Sequence, residues 1–135
     1  MSLIKVPVSY GELIDKITIL EIKSARMADP AKLANVRNEL ELLNGTWQRV
    51  PVAATDISDL WAQLRTVNER LWVVEDDLRI LEKAQRFDPG FVRLARSVYF
   101  ENDERARIKR EINLRLGSTL VEEKSYQDYG SRKPA

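Results

Sequence analysis

The feature that most constrains the fold is a run of apolar residues that recur at alternating intervals of three and four positions. This seam consists of Ile57, Leu60, Leu64, Val67, Leu71, Val74, Leu78 and Leu81. Such spacing places every member on one side of an α-helix, as in a coiled coil. A helix carrying the whole seam is about 37 Å long, the full width of a small domain. We therefore predict a long central helix that Asp56 caps and that ends near Phe87.

Capping residues place two helices ahead of the seam. Ser9 followed by Glu12 has the pattern of a capping box, so we predict a first helix from Tyr10 to Met27. Asp29-Pro30 places a capping carboxylate before a proline that needs no amide partner, so a second helix starts there. Asn44-Gly45 is a common helix stop, and we predict that a loop follows it.

A fourth helix follows the seam. Asp88-Pro89 repeats the capping pattern, and this helix should run from Pro89 to Leu116, where Gly117 ends it. Because only a few residues join it to the long helix, the two must pack as an antiparallel hairpin. We therefore predict an all-α, antiparallel helical bundle built on this hairpin, in one domain that spans residues 1–135.

The two ends of the chain carry no helix pattern. Residues 1–8 alternate loosely in hydropathy and contain Pro7, which is typical of a short extended arm or an edge strand. Residues 118–135 form a C-terminal tail, whose last part, from Gly130 to Ala135, should fray. The apolar tail residues that we expect to dock on the bundle are Leu120, Val121 and Tyr126.

The composition argues against several classes of function. The chain has 22 lysines and arginines and 21 aspartates and glutamates, so its net charge is close to zero. It therefore has no overall electrostatic attraction to nucleic acid or to an anionic membrane. No apolar run approaches the ~20 residues of a membrane span. The chain has no cysteine and no histidine, so it lacks thiol chemistry and the commonest transition-metal ligand. We expect a cytoplasmic protein with no bound metal or cofactor.

The inward stripe of the fourth helix is interrupted by polar residues. It begins with Phe91, Leu94, Ala95 and Val98, and it resumes at Ile112 and Leu116. The interrupting residues are Asn102, Arg105 and Lys109. A buried cation without a partner is unfavourable, so both cations must meet carboxylates, reach solvent or face a bound anion. The first-helix carboxylates within their reach are Glu12, Asp15 and Glu21.

This break allows two interpretations. In the first, a polar layer fixes the register between helices, and Arg105 pairs directly with Asp15 or Glu21. In the second, the cations bind a small anionic ligand in a concave pocket. The anion-binding residues would then be Lys16, Arg26, Arg105 and Lys109, and the candidate catalytic groups for proton transfer are Glu12 and Asp15.

Two helices carry more apolar surface than one core needs. Ile19 and Ile22 fall opposite the main apolar face of the first helix, while Trp72, Val73 and Ile80 lie off the seam of the long helix. Surplus faces of this kind pack against another helix or a second subunit. We therefore predict a homodimer with these five residues at its interface.

Three stretches of the sequence resemble one family. The run PVSYGELIDKITILEIK, from Pro7 to Lys23, is similar to the opening signature of a family of short bacterial proteins known only as a domain of unknown function. NDERA from Asn102, KREIN from Lys109 and LVEEKSY from Leu120 look like its closing signatures. The resemblance implies no established activity. It also implies that the three stretches form one site, and that members accompany glycosyltransferases of surface-polysaccharide synthesis.

A second resemblance covers only the first helix. Glu12-Leu13-Ile14-Asp15, followed by Arg26, is similar to the first helix of the all-helical chorismate mutases. This resemblance implies a pocket in which cations bind a dicarboxylate inside a helical bundle. The earlier cation of that helix has no counterpart here.

Two hypotheses about function follow. Two-sided apolar helices without any catalytic motif favour a non-catalytic interaction or scaffold protein with a protein partner. The alternative is a small helical-bundle enzyme or anion-binding protein with a chorismate-mutase-like pocket. Direct pairing of Arg105 with a first-helix carboxylate favours the first hypothesis, and a concave pocket around the cations favours the second.

Overall fold

The computed structural model describes residues 2–130, which form four α-helices and one short 3-10 helix. The α-helices are α1 (Tyr10–Arg26), α2 (Pro30–Gln48), α3 (Ser58–Lys83) and α4 (Pro89–Leu116), and the 3-10 helix, Pro51–Ala54, lies between α2 and α3. The prediction of an all-α bundle on a long hairpin is confirmed. No strand occurs in residues 2–130, and residues 2–8 form an arm without regular secondary structure. None of the helices in this range has both the length and the hydropathy to cross a membrane.

Helix α1 is the centre of the packing, because it contacts α2, α3 and α4. The core lies where α1 crosses the first half of α3 and the second half of α4. Its buried members are Leu13, Ile14, Ile17, Ile57, Leu60, Leu64, Val67, Ile108, Ile112 and Leu116. The three neighbouring helices explain why α1 is apolar on more than one side.

The far half of the α3–α4 hairpin extends beyond this core. We call residues 69–107 the distal hairpin, and none of them is fully buried. Their apolar side chains are covered mainly by the paired helix, since α1 and α2 lie over the other half. Large apolar side chains exposed here are Val73, Ile80, Phe87, Val92 and Tyr99.

The predicted helix starts depend on side-chain caps. Ser9 Oγ accepts a hydrogen bond from the Glu12 amide at 3.1 Å, and Asp29 and Asp88 accept in the same way from the third residue after each of them. The second half of the predicted capping box is absent, because the Glu12 carboxylate binds Lys109 instead. Gly117 ends α4 with a φ of 70°, a conformation that favours glycine.

The predicted end of the second helix is wrong, because α2 continues through Asn44-Gly45 to Gln48. The physical reason is the continuation of its apolar stripe. Trp47 lies one turn after Leu43, packs against the core, and places its ring centroid 6.1 Å from that of Trp61. Burial of this large ring outweighs the modest preference of Asn-Gly for a helix end.

The predicted bounds of the long helix also need correction. Helix α3 begins at Ser58 with Ile57 at its cap, and Asp56 accepts a hydrogen bond from the Ser58 amide at 2.9 Å. It ends at Lys83 rather than near Phe87. Gln85 turns the chain with a φ of 54°, in the left-handed region, so the reversal starts earlier than the sequence pattern indicated.

The tail docks partly through a residue that was not predicted. Tyr126 is 81% exposed, so the expectation that it docks is wrong, while Val121 is half-buried and Leu120 is 46% exposed. Tyr129 packs instead on Tyr99 and Phe100, with ring centroids 5.2 and 4.8 Å away. Residues 131–135 of the segment predicted to fray lie outside the described residues.

Candidate functional site

The most buried charged group is the Asp15 carboxylate of α1, which is 1% exposed. Arg105 of α4 donates to both of its oxygens, from Nε to Oδ1 at 2.8 Å and from Nη2 to Oδ2. Asn68 of α3 adds a bond from Nδ2 to Oδ1 at 3.0 Å. Three helices thus meet at one carboxylate. The hydrogen bonds to Asp15 outweigh partial burial and raise the pKa of Arg105.

Asn68 is the functional residue that sequence reasoning missed. Its amide nitrogen also donates to Thr18 Oγ1 at 3.0 Å, and that hydroxyl in turn donates to the Asp15 carbonyl at 2.8 Å. Asn68 directly follows the seam residue Val67, at an e position, which flanks the seam of a two-stranded coiled coil and is commonly polar. One argument could have identified it. If α1 packs against α3 beside the seam, a polar residue next to the seam is buried between helices and needs a hydrogen-bond partner.

A second ionic group lies one turn further along α4. Lys109 Nζ donates to Glu12 Oε2 at 2.6 Å and to Glu122 Oε2 in the tail at 2.9 Å. Burial opposes the charged ammonium, but these hydrogen bonds outweigh it and raise the pKa of Lys109. The bond from Lys109 lowers the pKa of Glu122. The tail is therefore tied to the layer formed by α1 and α4.

The close approach of α1 to α4 positions both groups. The Gly11 amide donates to Asn113 Oδ1 at 2.7 Å. A Cβ added to Gly11 would lie 2.5 Å from the Lys109 carbonyl oxygen, which is closer than real Cβ contacts. Glycine at this position therefore sets the distance between the helices. The opening, fourth-helix and tail stretches do meet here, through Glu12, Lys109 and Glu122.

The other predicted anion-binding residues lie at the surface. Lys16 is half-exposed and 3.7 Å from Glu12 Oε1, and Arg26 donates to Glu69 at 2.6 Å in the last turn of α1. The predicted cations are therefore each paired with a carboxylate. The two most buried, Arg105 and Lys109, form with their partners what we call the ionic layer, which consists of Glu12, Asp15, Asn68, Arg105, Lys109 and Glu122. Within residues 2–130, no group of three or more acidic side chains is arranged to hold a metal ion.

A pocket of about 330 Å³ opens beside this layer, where α1 stops covering the hairpin. We call it the junction pocket. Arg105 and Asn68 reach it from the layer, and the remaining lining residues are Ile19, Ile22, Leu71, Trp72, Glu75, Asp76 and Arg79.

Comparison with known proteins identifies a family for this chain. Residues 4–134 match the model of a family of unknown function, DUF6165. The chain belongs to DUF6165. No curated protein and no solved structure matches it. The DUF6165 match spans all four helices and most of the N-terminal arm, so the ionic layer and the junction pocket both lie within the family region.

The predicted interface residues of the DUF6165 chain differ widely in exposure. Ile22 is 1% exposed and therefore covered within its own chain. Ile19 and Trp72 are half-buried walls of the junction pocket. Val73 and Ile80 are exposed on α3 at 43% and 59%. The dimer itself stays a prediction.

Proposed function

We propose that this protein is a non-catalytic, self-associating scaffold that uses its distal hairpin to bind protein surfaces. The observation that carries this proposal is the absence of any fully buried residue in residues 69–107, combined with several large exposed apolar side chains there. A two-helix hairpin with uncovered apolar faces gains stability when further helices pack on it. Two such hairpins would form a four-helix arrangement.

The candidate acid–base groups Glu12 and Asp15 are already paired with cations, which supports a structural role for the ionic layer. Asp15 is 1% exposed, and both of its oxygens accept hydrogen bonds. Glu12 is held between Lys109 and Lys16. A carboxylate fixed in this way is poorly placed to exchange a proton with a substrate. Buried ion pairs add little net stability and are better suited to fixing helix register.

The first experiment is sedimentation equilibrium of the wild-type chain and a Trp72→Asp/Ile80→Asp variant. We expect a wild-type dimer and a folded, monomeric variant, because a charge on each apolar face opposes burial. The matched control is Asn35→Asp/Asn38→Asp on exposed positions of α2, which should remain dimeric. Circular dichroism checks that both variants stay helical, and Ile80→Asp alone serves if Trp72 proves necessary for folding. A wild-type monomer at high micromolar concentration would refute the proposal.

A second candidate function is binding of a small dicarboxylate near Arg105, as in a chorismate-mutase-like pocket. The observation in its favour is that the junction pocket reaches Arg105. Asp15, Glu75 and Asp76 around the same pocket oppose a further anion, which is why we place this function second. Calorimetric titration with malonate tests it, and Arg105→Met is the matched variant that should abolish any binding.

We also propose a class of protein partner. The family resemblance points to bacterial glycosyltransferases of surface-polysaccharide synthesis, and the distal hairpin is the surface that would contact them. A purified enzyme of this class should bind the wild-type chain and fail to bind the Ile80→Asp variant. Equal binding by the two chains would refute a role for the hairpin in this contact.

A further inference from the structure

We propose that the junction pocket binds the N-terminal arm of a second copy of this chain, so that two copies exchange their arms. This inference rests on the proposed self-association and specifies how it occurs. It concerns residues 2–8 of one copy and the pocket formed by α1, α3 and Arg105 of the other.

The arm is an apolar segment that its own chain leaves uncovered. Leu3, Ile4, Val6 and Val8 are 61%, 89%, 67% and 41% exposed. Pro7 fixes its own φ and favours an extended conformation for Val6, which reduces the conformational freedom that the arm loses on docking. A pre-extended apolar peptide of this kind is well suited to a pocket on a partner.

The junction pocket offers the hydrogen-bonding groups that a peptide needs. Arg105 uses Nε and Nη2 on Asp15, so its Nη1 donors make no bond to any residue from 2 to 130. Asn68 uses its nitrogen twice, and its Oδ1 accepts no hydrogen bond within the same range. No fully buried side-chain oxygen there lacks a partner, so this oxygen is not fully buried, and Asn68 is one of the residues that line the pocket. A peptide group supplies one acceptor for Arg105 and one donor for Asn68.

The walls and size of the pocket fit a short extended segment. Ile19, Leu71 and Trp72 supply apolar surface above these polar groups. A volume of about 330 Å³ lies at the lower end of ligand pockets, enough for the side chains of a few residues and too small for a helix. The apolar residues of the arm match this wall in chemistry.

The uncompensated charges of arm and pocket are opposite. Lys5 is the charged side chain of the arm, and it pairs with no residue in the described part of the chain. At the pocket, Arg79 pairs with Glu75 and Arg105 pairs with Asp15, which leaves Asp76 unpaired among residues 2–130. Docking of the arm would bring Lys5 to Asp76.

The geometry of the α1 start favours a second copy over the chain's own arm. Ser9 is extended, with φ −70° and ψ 161°, and it caps α1 with both its side chain and its carbonyl. Ile19 lies about 15 Å further along α1. To reach its own pocket, the arm must reverse at Ser9 and break this cap. Exchange between two copies keeps the cap and gives a closed, symmetric dimer.

Cysteine cross-linking tests the contact, because the chain has no cysteine of its own. Leu3→Cys in one copy is mixed with Arg79→Cys in another under mild oxidation. We expect the mixed disulfide at least tenfold faster than with Ala34→Cys, an exposed control site on α2. A rate equal to the control overturns arm docking. A Leu3→Cys/Arg79→Cys double variant that closes within one chain at high dilution overturns exchange.

Sedimentation separates this inference from the proposed function. Deletion of residues 2–8 should weaken the dimer at least tenfold and leave the helical content unchanged. Lys5→Glu should weaken it as well, and Lys5→Glu with Asp76→Lys should restore it. A dimer unaffected by the deletion overturns the arm exchange and leaves self-association standing. A wild-type monomer overturns both.

Discussion

Asp15 and Arg105 are ninety residues apart in sequence, yet the guanidinium donates to both oxygens of the buried carboxylate. This contact joins α1, the opening helix, to α4, the returning helix of the hairpin. A bidentate pair is directional, and a one-turn shift of α1 along α4 would leave the carboxylate buried without its partner. Fixing helix register is therefore the clearest consequence of this pair.

We predict that Arg105→Met lowers the free energy of unfolding by about 3 kcal/mol, because it leaves the Asp15 charge buried without its main partner. The value lies at the lower end for buried pairs because the Arg105 side chain is 30% exposed. Urea denaturation followed by circular dichroism measures it. Arg79→Ala, which breaks a pair at an exposed site, is the control and should cost less than about 1 kcal/mol.

A double variant separates the buried charge from the loss of packing. Asp15→Asn/Arg105→Met should be more stable than Arg105→Met alone, because the neutral amide still accepts from Asn68 and no charge remains buried. The same urea titration measures the difference. If the two single changes simply add in the double variant, the pair does not act as a unit.

Gly11→Ala should destabilise the protein by about 1–3 kcal/mol, because the new methyl group overlaps the Lys109 carbonyl at 2.5 Å. Gly45→Ala is the matched control within a helix. Its nearest neighbour is a flexible arginine atom at 3.6 Å, so the higher helix propensity of alanine should stabilise by about 0.5–1 kcal/mol. Thermal melts of the two variants should move in opposite directions, and equal shifts would argue against a tight α1–α4 crossing.

The helices could be predicted from the sequence because their signals are local. The Asp29 and Asp88 caps and the Gly117 stop each act within one turn, so their outcome does not depend on distant residues. Gly45 shows the limit of such reasoning. Its helix continues because Trp47 packs on Trp61, and that contact is a property of the tertiary structure.

From the sequence, the polar break in the fourth helix could be interpreted either as a layer of ion pairs or as an anion pocket. The break at Arg105 and Lys109 indicated that partners must exist, and Asp15 was among the candidates. The choice of partner depends on how far α1 slides along α4, which Gly11 and Asn113 set through a close contact. Nothing local to Asn68 marks it as a partner, because its role arises from three helices meeting.

The link between Lys109 and Glu122 predicts a pH dependence of stability. The hydrogen bond from Lys109 lowers the pKa of Glu122 in the folded protein below the ordinary 4.5. The stabilisation that this ion pair gives the folded state is therefore fully present above pH 4.5, and it is lost as the pH falls through the lower folded-state pKa. Because Glu122 is 58% exposed, its contribution should stay below about 1 kcal/mol. Glu122→Gln should be less stable than wild type at pH 7, and the difference should shrink as the pH falls below 4.5. A pH-independent difference would mean that the charge is not involved.

Tyr129 provides a spectroscopic test of the docked tail. Its hydroxyl donates to the Asp103 carboxylate, and this bond raises the pKa of Tyr129 to about 12. Among the 4 tyrosines, we expect one to ionise well above the ordinary value near 10, as followed by absorbance at alkaline pH. Tyr129→Phe should remove that late transition.

Asp103→Asn is the decisive variant in this titration. Without the carboxylate, the Tyr129 hydroxyl loses its hydrogen-bond acceptor and the phenolate loses its negative neighbour, so the pKa of Tyr129 should fall toward 10. The Tyr99 and Phe100 rings remain to hold the side chain in place. If the wild type shows no late tyrosine transition, Tyr129 does not bond to Asp103 in solution, and the ion pairs of the tail with α4 are those of Glu122 with Lys109 and Glu123 with Arg110.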